Sequence, residues 1–224
     1  MDMNLPFTQE QFFAVFARYH EGVWPIPVAL NVIALLSIAL LFARGAWASF
    51  VISLNLALLW AWMAIVYHIA FFTSINPAAW LFGMGFLLGS LAFAWYGIAR
   101  ADLNFRRTAG IRGIAGAALI VFALVIYPAA GYLLGHRFPA APTFGLPCPT
   151  TIFTLGMLLF ATSPVPKPVL VVPLLWAAVG SLAAFQLGVY EDYALLIAGS
   201  VTIVVMLVQP APAQTTLDAT VCAK

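Results

Sequence analysis

The stretch from Phe50 to Phe72, FVISLNLALLWAWMAIVYHIAFF, decides the fold. It holds no Asp, Glu, Lys or Arg and exceeds the roughly 20 apolar residues that a helix needs to cross a hydrocarbon core about 30 Å thick. Its apolar residues are continuous rather than alternating, which argues against a barrel strand. A helix, which satisfies its own backbone hydrogen bonds, is the form suited to lipid.

The rest of the chain repeats this character. Hydrophobic residues make up 64% of it, charged residues only 7%, and mean hydropathy is +1.05. Soluble domains carry about a quarter charged residues, so there are too few here to coat a water-facing surface. Apolar runs at 25–43, 50–72, 78–99, 111–134, 149–162, 169–188 and 193–209 predict an all-α, polytopic transmembrane helix bundle of about seven spans. The bundle covers 25–209, after an N-terminal segment at 1–24 and before a tail at 210–224. The run at 149–162 is short: it crosses only if Thr143 to Pro147 contribute, and otherwise it re-enters or is shortened.

Lys and Arg resist translocation and collect in cytoplasmic loops. Seven spans place Arg44, Arg100, Arg106, Arg107, Arg112, Lys167 and Lys224 on one side and only Arg18 and Arg137 on the other. The expected orientation therefore has the N-terminus outside and the C-terminus in the cytoplasm. The run from Arg100 to Arg112 reads as the main determinant of sidedness, in contact with the lipid bilayer's head groups rather than with nucleic acid.

At the N-terminus, Asp2, Glu10 and Glu21 outweigh Arg18, so no cleavable signal peptide is expected. Thr8 and Gln11 stand in capping-box spacing, and Phe12, Phe16 and Tyr19 share one face. This predicts an amphipathic helix, lying on the outer surface or packed on the bundle. The tail, rich in Pro, Ala and Thr, reads as disordered and cytoplasmic. Small residues at four-residue spacing, Gly85 with Gly89 and Gly180 with Ala184, let helices approach closely and offer a face for a homo-oligomer or a partner in a membrane complex.

On this topology the reactive side chains gather at the outer face. His20, His68, His136, Cys148, Glu191 and Asp192 are the candidates for binding a solute or metal, with Tyr67, Asn76, Arg137, Thr150 and Thr151 in support. Imidazole and thiol are ligands for a transition-metal ion, and His68, His136 and Cys148 are the expected metal set. His68 lies roughly 7 Å inside its span, where an ionisable group is a functional candidate; a neutral ring bonded to a neighbour is the competing reading. Cys148 stands between Pro147 and Pro149 at a helix start, where unpaired amides favour a thiolate, although a cysteine there also serves as plain apolar filler. Glu191 and Asp192 precede the last span, where acids serve as helix caps or as counter-charges to the histidines.

The segments FTQEQFFAVFARYHEGVWP (from Phe7), LLWAWMAIVYHIAFFTSINPAAWLFG (from Leu58) and GYLLGHRFPAAPTFGLPCPTT (from Gly131) resemble an uncharacterised family of bacterial multi-pass inner-membrane proteins. The resemblance covers most of the chain and stops before the tail. It implies a bacterial inner-membrane location and carries no known activity or functional residue. From the residues alone, the leading expectation is a small permease or binding protein with an outward-facing His/Cys site for a metal ion or small polar solute. A metal- or thiol-dependent membrane enzyme ranks below it, because no H-x-x-x-H pair or nucleophile motif is present. An accessory subunit of a membrane complex is the third reading.

Overall fold

The computed structural model describes residues 5–209. The tail at 210–224, with Cys222 and Lys224, lies outside the described residues. Within them the protein is an all-α bundle of eight helices: α1 (Gln9–Val23), α2 (Ile26–Leu40), α3 (Ala46–Ser74), α4 (Ala79–Ala99), α5 (Gly110–Leu133), α6 (Pro147–Leu158), α7 (Lys167–Leu187) and α8 (Tyr190–Val208). Five of these, α3, α4, α5, α7 and α8, are long and apolar enough to cross a membrane. The pair α1 and α2, bent by 88° at Trp24 and Pro25, adds a sixth if counted as one span.

Hydrogen bonds between loops define two ends. At one, Arg107 N–H donates to Leu41, Thr162 N–H to Asn104, and the Arg112 guanidinium to Gln209. At the other, Arg18 donates to Ser74, His20 bonds Pro139, and His136 bonds Glu191. Helices α2 to α8 each run from one of these ends to the other. The first is called the arginine end and the second the histidine end.

The short run at 149–162 becomes α6, whose 12 residues rise only about 18 Å. It still joins the two ends, because the other helices sheathe it. Every residue from Pro149 to Leu158 is buried. Enclosed in protein, its non-helical flanks need not satisfy their backbone against lipid. Phe160 carbonyl instead accepts from Arg106 N–H at 3.1 Å, and Gly145 N–H donates to Thr150 Oγ1 at 3.0 Å.

Close approach of α5 and α6 depends on two glycines that do not share a helix. A Cβ on Gly116 would meet the Gly156 carbonyl at 2.9 Å, and a Cβ on Gly156 would meet the Gly116 carbonyl at the same distance. The expected small-residue faces are placed differently. Gly89 admits the Trp60 indole, Gly180 lies against Leu195, and Ala184 is buried; Gly85 alone of the four faces open space.

Helix α1 has the expected capping box, with Gln11 N–H donating to Thr8 and Thr8 N–H to Gln11. It packs on the histidine end rather than standing off it: Val15, Phe16 and Tyr19 are buried against Tyr67, Phe72 and Leu146. Tyr19 hydroxyl accepts from Trp62 Nε1 at 2.7 Å, and burial pushes its ionisation up to about 12.

Candidate functional site

A cavity of about 320 Å³ lies at the histidine end, under α1 and between α3, α5, α7 and the start of α6. Its size is at the lower edge of the range of small-molecule sites. Phe7, Phe12, Phe16, Phe72 and Phe82 form much of its wall, and Tyr67, Asn76, Tyr127, Cys148, Trp176, Gln186 and Asp192 are its polar side chains. Among the described residues, no Lys, Arg or His lines it.

Among the described residues, Asp192 is the one acid on the wall. Its residue is 3% exposed, and its Oδ1 accepts a short hydrogen bond from Tyr127 hydroxyl. It does not cap the α-helical part of α8, which begins at Ala194 with no side-chain cap. The turn Tyr190–Tyr193 sends the two neighbouring acids to different partners instead. Glu191 goes to His136, whose Nδ1 donates to Glu191 Oε1 across 2.6 Å. That carboxylate is fully buried, the His136 side chain is 17% exposed, and Glu191 Oε2 has no partner among the described residues. Phe13 of α1 covers the His136 ring at 4.2 Å.

Cys148 is the second residue of α6, and its thiol lies beside the Asp192 carboxyl. Its neighbour is thus an acid, which is not the electropositive setting in which reactive thiols are found. Trp176 lines the cavity next to it, and its indole N–H has no hydrogen-bond partner among the described residues. Behind Trp176 stands His68, fully buried, with ring centroids 5.2 Å apart. His68 Nδ1 donates to Met63 carbonyl at 2.9 Å, the neutral-ring arrangement, while Nε2 has no partner among the described residues. Both His68 and Tyr67 sit in a π-helical stretch, Met63–Phe71; such wide turns often occur at functional sites.

The remaining candidates are engaged elsewhere. His20 Nδ1 donates to Pro139 carbonyl and Nε2 accepts from Thr143 hydroxyl, each at 2.7 Å, so both ring nitrogens are used in tying α1 to the 139–143 loop. Burial pushes this imidazole below its ordinary value, which keeps it neutral. Asn76 reaches the cavity wall, but its Oδ1 also accepts from Ala78 N–H at the start of α4. Arg137 is outside the site, bonded to Tyr132 and lying over that ring. Thr150 Oγ1 accepts from Gly145, and Thr151 Oγ1 is buried without a partner.

The structure therefore brings Asp192, Cys148 and Tyr67 to one cavity, with His68 behind it, and sets the His136–Glu191 pair apart. Among the described residues no three His, Cys, Asp or Glu side chains are grouped to hold a metal ion, and the expected set of His68, His136 and Cys148 does not converge. Tyr127 and Trp176 are wall residues that sequence reasoning missed. A lone polar aromatic inside an apolar span carries no signal separating a cavity wall from a lipid anchor.

No curated protein and no solved structure matches the chain. Residues 9–216, which include the cavity lining apart from Leu5 and Phe7, match the model described as a family of unknown function, DUF6064, and the chain belongs to that family.

Proposed function

We propose that the protein is a membrane-embedded binding protein or small permease whose solute is a compact apolar molecule with an ammonium head. The observation that carries this reading is the cavity wall: among the described residues it has five phenylalanines, two tyrosines and a tryptophan around one carboxyl group, with no basic side chain. Aromatic faces attract organic cations by their quadrupoles, and more strongly when water is excluded. Asp192 supplies the counter-charge. This keeps the solute-binding expectation and moves its centre from the histidines to Asp192, Tyr127, Cys148 and Trp176.

Binding of phenethylamine to the purified full chain in mild detergent tests it, with phenylacetate as the probe of opposite charge. Saturable binding of the amine, its absence for the carboxylate, and at least a tenfold weakening in Asp192→Asn are expected, since one well-placed charge contact is worth about 1.4 kcal/mol or more. Equal binding of both probes, no saturable binding, or an unchanged Asp192→Asn would overturn the reading.

The histidine end is assigned to the outside of a bacterial inner membrane. Arg44, Arg100, Arg106, Arg107, Arg112 and Lys167 support this by their common position at the other end. Arg137 and Arg106 are both exposed. With both native cysteines replaced by serine, a membrane-impermeant maleimide should label Arg137→Cys in intact cells, and Arg106→Cys only after the membrane is opened. The reverse pattern would invert the assignment.

A further inference from the structure

Helix α2 packs on α3 and α1 and leaves its opposite side against an open groove. The groove, about 540 Å³, runs between α2 and α5 from the arginine end toward the middle of the bundle. Ile38 and Phe42 form one wall, Ala117 and Val121 the other, and Phe160 the floor. Along α5 its lining extends from Gly110 to Val125, roughly 22 Å at 1.5 Å per residue. One leaflet contributes about half of a 30 Å hydrocarbon core, so the groove is long enough for one acyl chain.

The rim is chemically different from the walls. Arg107 is exposed, lines the groove, and holds its guanidinium 5.7 Å above the Phe42 ring. Among the described residues the acid at this end is Asp102, already paired with Arg100 at 2.7 Å. Thr108 Oγ1, also on the rim, is buried without a hydrogen-bond partner among the described residues. Helix α5 begins there with no side-chain cap, at Gly110, around which a Cβ would meet nothing within 4 Å. A guanidinium, an unused hydroxyl and uncapped amides at the mouth of an apolar groove are complementary to a phosphodiester with an attached chain.

We infer that this groove binds an anionic phospholipid, with the phosphate at Arg107 and Thr108 and one acyl chain between α2 and α5. The site lies at the opposite end from the solute cavity and is independent of it. Native mass spectrometry of the full chain, released from detergent with phosphatidylglycerol or with phosphatidylcholine of the same chains, tests the assignment. The wild type is expected to retain the anionic lipid about fivefold more than the zwitterionic one, as one juxtamembrane basic residue gives. Arg107→Gln should bring that ratio to about one. Arg100→Gln, at the same end but outside the groove, should keep it, and Ala117→Phe, which fills the groove from an exposed position, should lower retention of both lipids. Equal retention by the wild type, an equal loss in Arg100→Gln, full retention in Ala117→Phe, or displacement of the lipid by excess inorganic phosphate would each overturn it.

Discussion

Trp60→Ala should cost about 3–5 kcal/mol of stability, the range for removing a fully buried tryptophan from a packed core. Trp60 is 0% exposed, stacks on Phe86 with centroids 4.7 Å apart, and donates from Nε1 to Thr154 Oγ1 at 3.1 Å. Its position joins α3 to α4 and to the central α6. In lipid the solvent is as apolar as the core, so transfer from water contributes little to helix association and close contact contributes most. The loss should therefore come from the void and its missing contacts. Trp60→Phe, which keeps a ring against Phe86 and gives up the Thr154 bond, should lose clearly less. Unfolding of the purified chain by denaturant in mild detergent measures the series. A loss below about 1 kcal/mol for the alanine variant would show that α4 and α6 can close the gap. Gly89→Leu should be comparably damaging, because a Cβ there would stand 2.7 Å from the Trp60 ring.

That contact shows where sequence reading reaches and where it stops. The run at 50–72 could be read as a helix because period, length and the absence of charge all agree. The arrangement of basic residues sorted the loops onto the two ends that the hydrogen bonds define. Gly85 and Gly89, by contrast, have the same spacing signal, yet one meets open space and the other a tryptophan. The crossing that most needs glycine, Gly116 against Gly156, spans two helices and has no signature within either. The same limit governs the site. Cys148 and Asp192 were visible as reactive types in an apolar chain, but their meeting depends on α6 and α8 packing side by side. Glu191 and Asp192 are adjacent in sequence and diverge in space because the turn that opens α8, Tyr190–Tyr193, points them at His136 and Tyr127 respectively.

Arg112 is the largest departure from the sequence reading, and it carries the other large expected effect. Counted by charge, it is one more basic residue of a head-group-facing loop; in the structure it is 8% exposed and faces inward. Its Nε donates to Leu159 carbonyl at 3.2 Å, Nη2 to Ala161 at 3.0 Å and Nη1 to Gln209 at 3.2 Å. Leu159 and Gln209 are the C-caps of α6 and α8, so one guanidinium satisfies carbonyls at the negative ends of two helices and ties both to the start of α5. Arg112→Ala should cost about 3 kcal/mol or more, the worth of two charge-assisted hydrogen bonds, because buried carbonyls are left unpaired. Arg112→Lys should recover only part of this, since an ammonium lacks the planar fork that reaches three acceptors. Hydrogen exchange distinguishes this role from a generic charge effect: the amides at the end of α8, including Gln209 N–H bonded to Val205, should lose protection in both variants. Arg106→Ala, at an exposed position in the same loop, should leave that protection unchanged. Equal exchange in Arg112→Ala and wild type would mean that α6 and α8 hold their ends without it. The short α6, with so little helix of its own, makes that outcome the less compatible one with its enclosed path between the two ends.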